Sequence, residues 1–228
     1  MNQFTLSAVH FAWLPILPLI AMALGAMTVM LVGPQVDDDD SAGLGVIALL
    51  TLLIAFVLTL FTFGQNHLAF GGALVADDYA AFFDLLIIIA TAVIVAMSID
   101  YVSDEGLAGA EYYALILFSA LGMMLMAAAD DLIIMFLGLE TMSLAIYALA
   151  GFMRRDPKSN EGALKYFILG AFSTGFLLYG IALVYGATGT IKLEPIRAAL
   201  ASGNASNPLL LLGLGLMLIG FGFKVAAV

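Results

Sequence analysis

We single out three ionisable residues inside the long apolar stretches of this 228-residue chain: Glu140, Lys165 and Lys224. An ionisable side chain near the centre of a bilayer costs at least about 2.5 kcal/mol on insertion, and such residues are usually functional. Ser143 and Tyr147 follow Glu140 by three and seven residues, so on a helix they share its face. These residues are the candidates for chemistry.

A carboxyl group and an amino group embedded in this way can move protons without a bound cofactor. Burial disfavours the charged form of each group, whereas pairing the two favours both charged forms. A glutamate and a lysine that alternately meet and separate would therefore take up and release protons. We assign this role to Glu140 and Lys224; the alternative is a static salt bridge that fixes helix packing. Lys165 lies nearer a helix end, where its side chain could instead extend to the lipid headgroups.

Four glycines precede Lys224 in the last apolar stretch. We expect Gly213 and Gly215 to allow close helix packing, because small residues let neighbouring backbones approach. Gly220 and Gly222 lie within the last turn before the lysine. We expect them to soften the helix beside a hydrated cavity.

The elements that carry these residues are predicted to be membrane-spanning helices. About 20 mostly apolar residues cross the hydrocarbon layer, and 64% of this chain is apolar while only 11% is charged. The fold class is therefore all-α, a polytopic transmembrane helix bundle with about seven spans. We interpret the first span as a retained helix and not as a cleaved signal peptide. The predicted spans are residues 11–32, 44–63, 80–99, 113–129, 132–152, 162–185 and 208–228.

Composition excludes several other classes of function. A net charge of −10 argues against nucleic-acid binding, and the absence of cysteine removes thiolate metal sites and iron–sulfur ligation by this chain. His10 and His67 are too isolated for a metal site. We interpret the aspartate run 37–40 as a solvated turn and the sequon at 204–206 as a chance match.

The basic segment 154–158 predicts orientation, because cytoplasmic loops are enriched in Lys and Arg. Counting spans back from this loop places the N-terminus outside the cell. Lys192 and Arg197 then fall on the outer side and oppose this orientation slightly.

Three segments centred on the embedded charges resemble a known family. FLGLETMSLAIYAL contains Glu140, EGALKYFILGAF contains Lys165, and GFGFKVAAV contains Lys224. In this order they resemble the subunit N family of proton-translocating NADH:quinone oxidoreductase, respiratory complex I. The resemblance covers about residues 109–228, whereas the first three spans match mainly in hydropathy.

The resemblance implies roles for these residues. Glu140 would be the essential glutamate of the fifth helix, Lys224 its partner on the seventh, and Lys165 the lysine of the sixth helix that shapes a cytoplasmic-side proton path. It also implies that residues 1–110 form an N-terminal group of three helices and that 111–228 begin the first antiporter-like repeat. Such subunits have about fourteen helices, so we expect a second repeat beyond residue 228.

The same resemblance implies the setting in which the chain works. It would be a proton-translocating subunit in the bacterial inner membrane, with other membrane subunits, including neighbouring antiporter-like ones, as partners. NADH, flavin, iron–sulfur clusters and quinone would belong to the rest of the complex, and this chain would bind no cofactor or metal. Multisubunit sodium/proton antiporters and membrane-bound hydrogenases share the glutamate and lysine pattern and remain the alternative.

Overall fold

The computed structural model describes residues 13, 16–36, 41–201 and 207–226 of the chain. Within these residues the chain forms eight α-helices, one short 3-10 turn at Gly33–Gln35 and one hairpin. The helices are α1 Leu17–Val32, α2 Ser41–Leu60, α3 Asp78–Asp104, α4 Gly109–Ala127, α5 Leu132–Ala150, α6 Pro157–Thr188, α7 Leu193–Ala201 and α8 Pro208–Lys224. The strands are β1 His67–Ala69 and β2 Leu74–Ala76.

The predicted spans coincide with α1 to α6 and α8. Six helices have the length and hydropathy to cross a membrane, and α8 is a shorter apolar helix of 17 residues. The prediction of an all-α polytopic bundle is therefore confirmed. The predictions made for His10, for residues 37–40 and for the sequon at 204–206 lie outside the described residues.

Polar residues at the helix starts explain several boundaries. The side chains of Asp77, Asp131, Asp156 and Asn207 accept hydrogen bonds from the backbone amides that begin α3, α5, α6 and α8, respectively. In a bilayer these free amides would otherwise lack partners. The caps set the depth at which each helix enters the membrane.

The helices pack around two buried clusters. One is formed by α1, α2, α3 and α4 around residues such as Met22 and Leu117, and the other by α5, α6, α7 and α8 around Leu177 and Leu210. Helix α4 thus shares its core with α1 to α3 and also packs along α5. The division of the chain between residues 110 and 111 stays a prediction.

A hairpin that the sequence analysis did not predict joins three loops at one end of the bundle. Strands β1 and β2 pair antiparallel, with His67 opposite Ala76. The Val75 amide donates to the Ala128 carbonyl at 2.8 Å, and Lys192 Nζ donates to the Gly71 carbonyl at 2.7 Å. These bonds fix the segment just before α5. We call this end the hairpin end, and the opposite end, which carries residues 154–158, the basic-loop end.

Candidate functional site

Lys224, at the end of α8, is bound to the face of α5. Its Nζ donates to Ser143 Oγ at 2.6 Å and to Tyr147 Oη at 2.6 Å. The same nitrogen lies 4.8 Å from the centre of the Tyr147 ring. Two hydroxyl oxygens from adjacent turns of one helix therefore solvate the ammonium group in place of water.

Glu140 and the Ser143 part of this contact lie in the middle third of α5. Helix α5 has 19 residues, so it is about 28 Å long at ~1.5 Å per residue. Glu140 comes eight residues after Leu132 and Ser143 eleven, at depths of about 12 and 17 Å. Both side chains are thus far from either end of the helix.

Glu140 is held by a different helix. Its Oε1 accepts a hydrogen bond from Thr174 Oγ1 of α6 at 2.9 Å. The same hydroxyl lies 2.9 Å from the Gly170 carbonyl oxygen. Because a threonine hydroxyl has one hydrogen, it donates to the carboxylate or to the backbone, but not to both at once. Thr174 can therefore follow a change in the charge of Glu140 by turning its hydroxyl.

Glu140 and Lys224 interact across a gap. The two ion pairs among the described residues lie elsewhere, between Lys165 and Glu161 and between Arg197 and Glu194. Lys224 nevertheless lies within electrostatic range of Glu140. Lys224 is bound instead by the two hydroxyl groups on the turns of α5 that follow Glu140, and the alternation of the pair stays a prediction.

Tyr147 is fixed between α5, α6 and α8. Its side chain is 6% exposed, and its ring meets the Tyr166 ring edge-on, with centroids 4.7 Å apart. Opposite the phenol stands Gly170, where an added Cβ would overlap the Tyr147 hydroxyl oxygen. The absence of a side chain at Gly170 therefore makes the space that the phenol occupies.

Lys165 does not join this cluster. It is paired with Glu161 one turn earlier on α6, and the two side chains are 69% and 65% exposed. The pair lies toward the basic-loop end. Its neighbour Tyr166 provides the contact with Tyr147, so α6 links the exposed pair to the buried cluster through adjacent residues.

The glycines of α8 differ from the expectation in part. Gly213 packs as predicted: its added Cβ would lie 2.9 Å from the Gly180 carbonyl oxygen. Gly220 also packs, against Leu177, and its carbonyl accepts from Ser173 Oγ at 3.2 Å, so it does not soften the helix. The prediction of close packing at Gly215 is wrong, because an added Cβ there would meet nothing within 4 Å among the described residues, and the same holds for Gly222. Helix α8 is continuous up to Lys224.

Two polar residues escaped the sequence analysis. Thr174 is one of many hydroxyl residues in apolar helices, and only its contact with Glu140 distinguishes it. Asp84, by contrast, is an ionisable residue within the predicted span 80–99 and could have been found by its charge. It is 8% exposed, and its Oδ1 has no hydrogen-bond partner among the described residues.

Comparison with known proteins assigns this architecture to a class. The family model described as NADH:quinone oxidoreductase/Mrp antiporter, transmembrane, matches residues 129–228. That stretch contains Glu140, Lys165 and Lys224. The fold is therefore that of an antiporter-like, multi-pass membrane subunit.

Individual relatives narrow the class. The chain is 44% identical over 213 residues to NADH-quinone oxidoreductase subunit N of Trichlorobacter lovleyi, covering 93% of this chain and 44% of that protein. It is 40% identical over 219 residues to the subunit of the same name from Paramagnetospirillum magneticum, covering 94% and 45%. The chain is therefore similar to NADH-quinone oxidoreductase subunit N, and it spans somewhat less than half the length of these relatives.

Solved structures share the fold. A chain of respiratory complex I from Thermus thermophilus is 35% identical, with a TM-score of 0.73 over 92% of this chain and 44% of that one. A chain of the Mrp complex from Dietzia is 21% identical with a TM-score of 0.71, covering 92% and 23%. At that identity the likeness concerns the fold alone.

Proposed function

We propose that this chain forms part of a membrane subunit that carries protons across the bacterial inner membrane. Electron transfer from NADH to quinone, elsewhere in the same complex, would drive the transport. The observation that carries the proposal is the position of Lys224. This half-buried lysine at the end of an apolar helix is bound by two hydroxyls on the helix face that bears Glu140.

Lys224 and Glu140 would work as a separable pair. In the conformation described, the Lys224 ammonium is bound to Ser143 and Tyr147, which corresponds to the separated state. If the amine leaves both the two hydroxyls and the carboxylate, the charged form loses its partners and can release its proton. Movement of the amine toward Glu140 favours the charged form again and promotes uptake of the next proton.

Lys165 would serve the path that leads to this pair. It lies on α6 between the basic-loop end and Tyr166, and its side chain is exposed. A cation at this position stabilises water and proton acceptors at the entrance without entering the buried cluster. We propose that the basic loop faces the cytoplasm and that the N-terminus lies outside, so this would be the cytoplasmic entrance.

The redox groups are proposed to lie in partner subunits. The 228 residues include no cysteine, so this chain supplies no thiolate for an iron–sulfur cluster. Its partners would be other membrane subunits, including neighbouring antiporter-like ones, and the bilayer itself. Broad apolar surfaces on α6 and α8, where Phe172 and Leu218 are 69% and 71% exposed, are suited to such contacts.

Proton pumping by the complete complex tests the proposal. Glu140→Gln and Lys224→Ala should each abolish most pumping in sealed vesicles, measured with a pH-sensitive dye, while NADH oxidation continues in part. Lys158→Ala, an exposed cation of the basic loop, is the matched control and should pump normally. Full pumping by either buried variant contradicts the proposal.

The description of the matching family also includes Mrp antiporters, which makes cation exchange the second candidate. It predicts sodium flux across the membrane without NADH and growth that depends on this subunit at high sodium. Proton transport that requires NADH and is insensitive to sodium supports the first candidate.

A further inference from the structure

A recess opens between α1, α4 and α5 at the basic-loop end. Its inner part is a cavity of about 360 Å³. The wall of this cavity is apolar and includes Met30, Leu115, Phe118 and Ala148. Two charged side chains, Glu111 and Arg154, lie at its rim. Phe118 comes nine residues after Gly109, so the slot reaches about 13 Å along α4.

A second cavity joins the first at the surface. It has a volume of about 720 Å³ and lies between residues 105–108 and 152–157. Phe152 and Arg154 line both cavities. The two together form an apolar slot beneath a wider mouth that carries charged side chains, which is the shape of a site for an acyl chain and its headgroup.

The loop that carries Arg154 is held in place. Its backbone carbonyl accepts from Asn160 Nδ2 at 2.9 Å, and Ser159 Oγ donates to the Ala150 carbonyl at 2.8 Å. The Phe152 ring meets the Tyr112 ring edge-on, with centroids 5.4 Å apart. The guanidinium thus projects from a fixed backbone, which reduces the entropy lost on binding a ligand.

The charges at the rim are opposite and unpaired. Glu111 lies in the first turn of α4 and is half-buried, whereas Arg154 is exposed. In the part of the chain that the structure describes, neither forms an ion pair. A guanidinium binds phosphate oxygens in a bidentate manner, and a carboxylate binds an ammonium group. The rim therefore complements a group that carries both charges.

We propose that this recess binds a phospholipid whose headgroup contains a phosphate and a primary ammonium. The phosphate lies against Arg154, the ammonium against Glu111, and one acyl chain fills the slot beside Leu115 and Phe118. The mouth is also lined by three further charged side chains, those of Glu105, Arg155 and Asp156. Together with Glu111 and Arg154, they give the recess three acidic side chains and two arginines. This excess of acidic over basic side chains disfavours a purely anionic headgroup. The site is separate from the Lys224 cluster and does not depend on the proposed transport.

Lipid retention by the complete complex tests the proposal. The complex is purified in mild detergent, and phosphatidylethanolamine and phosphatidylglycerol are quantified by mass spectrometry. Arg154→Gln and Glu111→Gln should each retain phosphatidylethanolamine about tenfold less well, because each removes one charge-assisted contact. Lys158→Gln, which removes an exposed cation from the same loop, should retain it fully.

A second pair of variants tests the slot itself. Leu115→Trp fills the apolar cavity and should displace the lipid, whereas Leu218→Trp, on an exposed face of α8, should not. If a charge variant fails to assemble, the headgroup preference is measured by titrating the wild-type complex with each lipid. Phosphatidylethanolamine should bind at least about tenfold more tightly than phosphatidylglycerol.

Two results overturn the proposal. Preferential retention of phosphatidylglycerol, unaffected by Glu111→Gln, would show that the headgroup is anionic. Equal retention of lipid by all variants, or none by the wild-type complex because another polypeptide fills the recess, would show that no such site exists.

Discussion

Gly170 of α6 lies against the phenol of Tyr147 on α5, so closely that a methyl group at Gly170 would overlap the phenol oxygen. The same oxygen accepts a 2.6 Å hydrogen bond from Lys224 of α8. Three helices therefore meet at one phenol group. The position of the half-buried Lys224 depends on a residue of α6 that contributes no side chain.

Gly170→Ala should displace Tyr147 and weaken the packing of α5 on α6. Overpacking of this kind typically costs about 1–3 kcal/mol. We expect a lower melting temperature of the complex and slower proton pumping. Gly175→Ala is the matched control, since an added Cβ at Gly175 meets nothing within 4 Å, and it should leave both quantities unchanged. Equal effects of the two substitutions would show that the contact with Tyr147 is not important.

The two hydroxyls around Lys224 can be removed without changing the bulk of the site. A hydrogen bond to a charged group contributes about 1.5–3 kcal/mol, so Tyr147→Phe or Ser143→Ala should each slow pumping roughly tenfold. The double variant should be more severe, because Lys224 then loses both acceptors. Tyr179→Phe, at an exposed position of α6, is the control. Normal pumping by the double variant would show that these hydroxyls do not position the lysine.

Lys165 offers a test that separates transport from stability. An exposed pair spaced by four residues contributes no more than about 0.5 kcal/mol, so Lys165→Met should leave the melting temperature nearly unchanged. If Lys165 serves the proton path, pumping falls in the same variant while NADH oxidation continues. Glu161→Gln breaks the same pair but retains the cation, and it should pump at a higher rate than Lys165→Met. A loss of stability without a loss of pumping would assign the pair a structural role.

The bundle itself was predictable because hydrocarbon imposes a length on every span. The predicted spans that correspond to α1, α4, α5 and α8 begin or end within a few residues of the observed helices. The hairpin was not predictable, since strands as short as His67–Ala69 are too short to show an alternating pattern. Its pairing depends on loops that are distant in sequence, such as the one before α5.

The candidate site was predictable in its residues but not in its contacts. Glu140 and Lys224 stand out because charge is costly in an apolar helix. The bond between Thr174 and Glu140, and the space that Gly170 leaves for Tyr147, arise from the rotation of α6 about its axis. Hydropathy does not determine that rotation, because α6 is apolar on most of its surface. The sequence therefore predicted a pair that alternately meets and separates, but not the hydroxyls to which the lysine is bound in this conformation.

The double variant Glu140→Leu with Lys224→Leu distinguishes transport from architecture. Removing both charges together leaves neither member of this pair without its partner, so the complex should assemble and oxidise NADH. We predict that its sealed vesicles form no proton gradient on addition of NADH, whereas wild-type vesicles acidify and quench the dye. A wild-type gradient in the double variant would show that the buried carboxylate and ammonium serve only to pack the helices.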